Sequence, residues 1–568
     1  MASIGIDFGT TNSVVAVHNS SGTEVLPIDK APIEWAPYGF DDIMPSVMAR
    51  GSDSSLCFGW EAKQRATGRF DAVKRMFATD IDTSTDESGE GLAVEEVATM
   101  LFAELRRRSL DNGIDANQAV VTVPANSKGR ARHRTKLCAG MAGIEVLSLI
   151  NEPTAAAMAY AQKHPEARQL LVFDWGGGTL DVTILRSEEG VFIEQSSSGL
   201  PRSGGLDFDA RLEKIVRESI PGLDNLSIED RHLLRVEVEL AKIRLSDADS
   251  VSIEIPGGKD FRITRSKFEQ EIKGLIDESR LPLERCLGDL QVGPGSIDAL
   301  VMVGGTCRIP AVRKFARDLL GVDPDPDINP MTAIAEGAAI AAAIISGELT
   351  SSDFFVSIEH SLGTFTLDIA SGEHRFSEII PRNHKLPAKA SDEFSPAVKE
   401  TKQVIIEVVE GDPELSVPDF TILKEFEVEL PTPYDENSNR AFTIEYEYDT
   451  DGILHVLAQD IDTGIILLQD DVSYGIATDS KQLKTMSDRA KKAVTDGKID
   501  SGAAVIVDDP ESAKVIEQAR IKVIPFLDSE EAAPIEDLAI ALEAASGADV
   551  AAARDALKKA LAPHSYLF

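Results

Sequence analysis

Cysteine is scarce, with four residues in 568: Cys57, Cys138, Cys286 and Cys307. They lie far apart and make no C-x-x-C pair. No zinc site or disulfide framework is therefore expected, and the pattern fits a reducing cytoplasm. Cys307 sits beside a Gly-Gly turn and is expected to be a small buried filler rather than a redox-sensitive thiol. Basic residues are outnumbered: 57 Lys and Arg stand against 95 Asp and Glu, a net charge of −38. That argues against nucleic-acid binding through a basic face and against anionic membrane surfaces. No run of about 18 apolar residues occurs, so no membrane span is expected. The N-terminus enters Ile4-Gly5-Ile6-Asp7 with no basic or apolar leader, and no secretory signal is expected.

What the chain does have is one kind of turn, twice. A strand-like run ends in Asp7-Phe8-Gly9-Thr10-Thr11-Asn12-Ser13, and another ends in Asp174-Trp175-Gly176-Gly177-Gly178-Thr179. Each is an apolar strand, an acid, then a Gly/Thr turn. Glycine lets backbone N–H groups approach a phosphate, and the Thr hydroxyls add donors. The acid ahead of each turn can hold a hydrated Mg²⁺. One such turn alone reads equally well as an ordinary hairpin; two can grip one nucleotide from both sides.

At 568 residues the chain is too long for one core. Residues 1–349 mix Val/Ile-rich strands with helices, an α/β signature. Ile144–Ile150 reads as a buried strand, followed by a helix with Pro153 near its first turn, and Ala333–Ile345 as an Ala-rich helix. Residues 350–358 are a linker with an apolar plug, Asp353-Phe354-Phe355-Val356. From 359 to 478 the period becomes two, as in Phe442–Tyr448 and Glu425–Leu430, with a turn at Asp451-Gly452. This predicts a β-sandwich-like domain. Residues 479–568 turn helical. Helices are expected over Ser480–Val494, from Pro510 (capped by Asp508-Asp509) to Pro525, from Pro534, and over 549–561 after Gly547.

Ile6–Ser13 closely resembles the first signature of the 70-kDa heat-shock proteins, the DnaK-type chaperones. Asp174–Asp181 resembles the second, and Val301-Met302-Val303-Gly304-Gly305-Thr306-Cys307-Arg308-Ile309-Pro310 the third. Val121–Ala125 and Ile150–Ala157 resemble the segments between them. The first two signatures alone would also admit actins and sugar kinases. The resemblance implies an α/β actin-like ATPase with duplicated ribonuclease-H-like lobes, then a β-sandwich substrate domain and a short α-helical lid. It implies ATP/ADP and Mg²⁺ as ligands, with K⁺ as a candidate further ion.

Carried over by motif, Asp7 and Asp174 would orient Mg²⁺ through water. Gly9, Thr10, Thr11 and Asn12 would line the phosphates from one lobe. Gly176, Gly177, Gly178 and Thr179, with Gly204 and Gly205, would do so from the other. Lys74 and Glu152 match residues beside the attacking water, so the catalytic set is Lys74, Glu152, Asp174 and Thr179. Ser227-Ile228-Glu229-Asp230 looks like a capping box ahead of a long helix. On it Glu239, Lys242 and Ser246 share one face, where the family embraces adenine and ribose. Gly304, Gly305 and Arg308 would cover the other side of the base. Pro124 and Arg132 match a proline switch and its arginine relay. With Asp353, Phe354, Phe355 and Val356 they are expected to couple the domains. Phe394, Ala397, Val404 and Ile406 resemble peptide-binding positions, though Val404 and Ile406 read equally as core.

The resemblance implies unfolded or extended polypeptide clients, a J-domain co-chaperone and a nucleotide exchange factor. The chain departs from the pattern in places. Gly363–Phe376, a groove wall in the family, is longer; the linker carries Phe where relatives carry Leu. Ser148 stands where many relatives carry an arginine that meets the J-domain, which points to a weakened or dedicated J-partner. The short helical region is expected to be a truncated lid. A specialised nucleotide-switched assembly factor with one client is the alternative function, and a carbohydrate kinase on the same fold a third.

Overall fold

The computed structural model describes the chain except residues 1–2, 80, 87–90, 126, 128, 189–190, 201–202, 350–352, 356–359, 368–373, 383, 385–386, 399, 413–418, 432–439, 450–453, 473–479, 500–509, 525–526, 528, 546–548 and 568. Val356, the Asp451-Gly452 turn, the Asp508-Asp509 cap, Pro525, Gly547 and the centre of the 363–376 segment lie outside the described residues.

Two sheets of one design form the centre of the first 355 residues, with smaller sheets beside them. In lobe I the strand Ser3–Phe8 runs parallel to Gln118–Val123 and antiparallel to Asn12–Asn19. Glu145–Asn151 and Gly22–Val25 extend the two sides. In lobe II, Gln169–Trp175 runs parallel to Ala299–Val303 and antiparallel to Leu180–Glu188, which is followed by Val191–Leu200. The central strands are apolar on both faces (Ile4, Ile6 and Phe8; Leu171, Val172 and Phe173) because helices cover both sides. In each lobe the central strand and its hairpin partner deliver a turn to the same edge of the sheet. Helices Glu152–Ala161 and Ala333–Ile345 are buried along most of their length. Their alanines allow the close packing that joins the lobes.

The linker strand Asp353–Phe355 adds to the outer edge of the lobe II sheet, parallel to Val191–Ile193. The β-domain follows as two four-stranded antiparallel sheets. One runs His374–Ile380, Ser361–Leu367, Gln403–Asp412, Asp419–Glu429; the other runs Ala388–Phe394, Phe442–Tyr448, Leu454–Asp460, Ile466–Asp471. Alternate residues Phe442, Ile444, Tyr446 and Tyr448 face the core with Ile406, Val428 and Val456. The buried Tyr446 hydroxyl donates to the Gly363 carbonyl at 2.9 Å. Arg382 ties this domain to lobe II, 2.8 Å from Asp289.

Helix Ser480–Asp496 packs on lobe I rather than on the β-domain. Ala490, Ala493 and Val494 complete the lobe I core, and Arg489 pairs with the buried Glu96. Ile499 N–H donates to the Ser54 carbonyl at 3.0 Å. The remaining helices, Pro510–Glu517 (continued by wider turns over Gln518–Val523), Ser529–Ala544 and Asp549–Leu561, share a small core of their own. Pro534 does not open its helix but lies inside it. Its missing N–H removes one bond near the helix start, and Glu530, Glu531, Ala532 and Ala533 are good enough helix formers to carry the helix past it.

Candidate functional site

The two turns meet across the gap between the lobes. In each, the first glycine N–H donates three residues ahead: Gly9 to Asn12 O at 3.0 Å, and Gly176 to Thr179 O at 3.1 Å. A Cβ placed on Gly177 would lie 2.5 Å from the Thr11 side chain, and one on Gly204 would lie 2.4 Å from the Gly177 carbonyl carbon. Three backbone segments thus converge with no room for side chains, which leaves their N–H groups and the Thr hydroxyls as the lining.

Behind the turns sits a buried charge cluster. Lys74 Nζ lies 2.7 Å from Glu152 Oε1, both nearly enclosed. The Thr122 hydroxyl donates to Asp7 at 3.0 Å. Burial pushes the Asp7 carboxyl up, Glu152 adds repulsion and Lys74 opposes it. Asp174 is also pushed up, by burial and then by Glu152, Asp181 and Asp7. Asp174 Oδ2 and Asn12 Oδ1 are buried without a hydrogen-bond partner among the described residues. Two buried carboxyls close enough to repel each other, one with an unpartnered oxygen, are a donor set that a hydrated Mg²⁺ takes, so the residues fit that ion.

The outer part of the cleft is a pocket lined by Thr11, Asn12, Gly177, Gly205, Glu239, Lys242, Ser246, Gly305 and Arg308, nine of the sequence-derived positions. Ser227 caps the helix Ile228–Arg244 by accepting from Asp230 N–H at 3.0 Å. That helix ends before Ser246, but Ser246 N–H still bonds Ile243 O at 3.0 Å, so the turn continues and keeps the side chain at the pocket. Glu239 and Lys242 do not pair with each other. Glu239 takes Lys63 of lobe I at 2.8 Å, and Lys242 takes Asp209 at 2.7 Å and the Gly205 carbonyl at 2.9 Å. Arg308 reaches back to lobe I and donates to the Tyr38 carbonyl. Gly304 holds a positive φ of 83° where the chain turns past Trp175.

Sequence reasoning missed Phe40, Asp209, Thr306 and Met331 in the pocket lining, Lys63 as the partner of Glu239, and Arg75 at the turns. Arg75 stands beside Lys74 in the chain, donates to the Gly178 carbonyl at 3.4 Å and lies 3.5 Å from Asp207. Its position next to a motif lysine was the available signal. Cys307 is buried against the Phe173 carbonyl, and burial pushes its thiol up, as suits a filler.

Pro124 is buried at a strand end, and its carbonyl accepts from Ser127 N–H at 3.0 Å. Arg132 donates to Asn151, whose Nδ2 donates to Glu194 at 2.9 Å; Thr154 donates to the same carboxylate. Glu194 lies on the strand whose start pairs with Asp353–Phe355. Asn151 and Glu194 were not foreseen. Ser148 is buried in its strand, its hydroxyl 3.3 Å from the Leu149 carbonyl. In the β-domain Ile406 is core, Val404 and Phe394 are half-buried and Ala397 is exposed. Phe365, Phe376 and Phe420 form a half-buried aromatic trio beside the lengthened segment.

Among the described residues no helix is long and apolar enough to cross a membrane. The model of the family described as Hsp70 protein matches residues 69–565. The chain is 32% identical over 522 residues to a chaperone protein DnaK of Thermosipho africanus, covering 86% of this chain and 85% of that one. It is also 32% identical to DnaK chaperone proteins of Thermosipho melanesiensis and Thermotoga neapolitana, each over 81% of this chain and 78% of theirs. With the paired turns, the enclosed acid cluster and the pocket between two like lobes, these matches establish that the chain belongs to the 70-kDa heat-shock protein family.

Proposed function

We propose that this chain is an ATP-driven peptide-binding chaperone whose actin-like ATPase domain, residues 1–349, controls the β-domain, residues 359–478. The observation that carries the reading is the pair of facing turns over a buried Lys74–Glu152 pair and the buried carboxyls of Asp7 and Asp174, the latter with an oxygen that has no hydrogen-bond partner among the described residues. Thr10, Thr11 and Asn12 hold the phosphates from lobe I; Gly176, Gly177 and Thr179 hold them from lobe II. Lys63, Glu239, Lys242, Ser246 and Arg308 position the base and ribose. Asp7 and Asp174 would hold Mg²⁺ through water, and the ion would supply charge neutralisation at the phosphates, with K⁺ a candidate second ion. Lys74 and Glu152 fix a water in line with the terminal phosphate, which is the positioning that phosphoryl transfer to water needs.

Coupling runs through the side chains of Arg132, Asn151 and Glu194 to the strand that pairs with the linker. With ATP bound the linker stays on the lobe II edge and the peptide site is open; hydrolysis frees the linker and traps peptide. ATP and peptide affinities are then antagonistic. Phe394, Ala397, Val404 and Ile406 surround the peptide site, and clients are extended apolar segments of unfolded proteins in the cytoplasm. A J-domain co-chaperone and an exchange factor complete the cycle.

The test is single-turnover hydrolysis of ATP by the full chain with and without an unfolded client. Hydrolysis abolished in Asp174→Asn and stimulated by client in the unmodified chain is the expected result. No hydrolysis, or phosphate transfer to a sugar, overturns the reading.

A further inference from the structure

The helical group between Pro510 and Leu561 is bonded to lobe I and walls a cavity together with both lobes. On lobe I, Glu517 is buried and accepts from the Thr85 N–H at 3.0 Å and from the Thr85 hydroxyl. Thr85 lies on the hairpin Thr83–Thr85 with Gly91–Ala93 that leads into helix Val94–Asp111. On the other side, Lys514 and Gln518 line one cavity with Ile228, Arg231 and Arg235 of lobe II. Arg69, Thr85 and Asp86 close the same cavity from lobe I. Lys214 of the lobe II helix Gly205–Ser219 lies within electrostatic reach of His564, just past the last helix.

The element that faces the helical group on lobe II is the helix that lines the base pocket. Ile228, Arg231 and Arg235 begin the helix that ends in Glu239 and Lys242. A cleft opening that parts the two lobes carries this helix away from the paired strands Thr83–Thr85 and Gly91–Ala93. The helical group has its own core, and Arg520 ties two of its helices together at 2.9 Å to Glu536 and 2.6 Å to Glu543. Such a body does not stretch. It must let go of one lobe before the lobes separate. The Glu517 contact suits release, because a carboxylate leaving two donors is rehydrated at once.

We propose that residues 510–561 are a latch built into the chain, bridging the two lobes across the cleft and slowing nucleotide release. The proposal rests on the reading of the cleft as a nucleotide site. Its test is the displacement rate of a fluorescent N-methylanthraniloyl ADP from the full chain by excess ADP. Glu517→Ala should release it at least about fivefold faster, the scale of losing charge-assisted hydrogen bonds. A Thr85→Cys, Glu517→Cys pair gives a second measurement: oxidised to a disulfide it should release at least about fivefold more slowly than when reduced. The two forms are one protein, so a defect of folding common to both cancels. Equal rates in Glu517→Ala and the unmodified chain, together with equal rates in the oxidised and reduced pair, overturn the latch while leaving the nucleotide reading intact. Failure of the unmodified chain to bind the fluorescent nucleotide at all overturns both.

Discussion

Lys74→Ala removes the ammonium from the buried cluster beneath the turns. Lys74 and Glu152 are 2.7 Å apart with side chains 8% and 10% exposed. Taking away one member of such a pair costs about 3–5 kcal/mol, because the remaining charge has no compensation. Here the remaining charge is Glu152, and both Asp7 and Asp174 already feel its repulsion. The expected loss therefore lies toward the upper end, about 5 kcal/mol. Glu152→Gln keeps a hydrogen-bond acceptor for Lys74 and relieves the two aspartates, so it should cost about 1–2 kcal/mol. Combining the two should restore about 2 kcal/mol relative to the sum of the single losses. Urea unfolding of the four proteins without nucleotide measures this cycle. In the same set, turnover of ATP by Lys74→Ala should fall by about 10²–10⁴-fold. KM should hold within about threefold, since neither residue lines the base pocket. A Lys74→Ala loss below about 1 kcal/mol, strictly additive singles, or unchanged turnover would refute the reasoning.

Gly204→Ala places a Cβ 2.4 Å from the Gly177 carbonyl carbon and 2.5 Å from Gly178 N, which is backbone that cannot yield. ADP affinity by calorimetry should fall at least about tenfold. Phe354→Pro removes an N–H from the linker strand paired with Val191–Ile193. Hydrolysis should persist while ATP no longer weakens peptide binding; intact ATP-driven release would contradict the linker's role. His232 is pushed down to about 4 by burial, then by Arg69 and Arg235. Its neutral form is favoured in the folded chain, so the stability it contributes is full above its unfolded value of 6.5 and falls as pH drops toward about 4. Between pH 7 and 5 this is about 2 kcal/mol, and His232→Gln should remove that part of the acid loss in urea melts at the two pH values.

The turns were legible because their chemistry is local. Acid, glycine and threonine within seven residues settle both backbone path and donors, and the structure keeps each set at one sheet edge. The helix carrying Glu239 and Lys242 was legible for the same reason, down to its Ser227 cap. What pairs with what was not. Glu239 reads as a neighbour of Lys242 along the helix, yet its partner Lys63 comes from the other lobe, 176 positions away. Glu194 looked like an ordinary strand acid until tertiary packing placed Asn151 and Thr154 against it. The helices after Ser480 were recognisable by period, but an apolar stripe does not name the surface it covers. Ala490, Ala493 and Val494 filled the lobe I core instead of lying over the β-domain. Ile406 shows the limit of a period-two reading, which marks an inward face without separating core from groove.

The most direct test of the account is the fluorescence anisotropy of a labelled apolar heptapeptide mixed with the full chain, first with ADP and then with ATP. The account predicts slow-exchanging binding with ADP and prompt release on adding ATP. Binding that ignores the nucleotide, or no binding in either state while ATP hydrolysis continues, would contradict it.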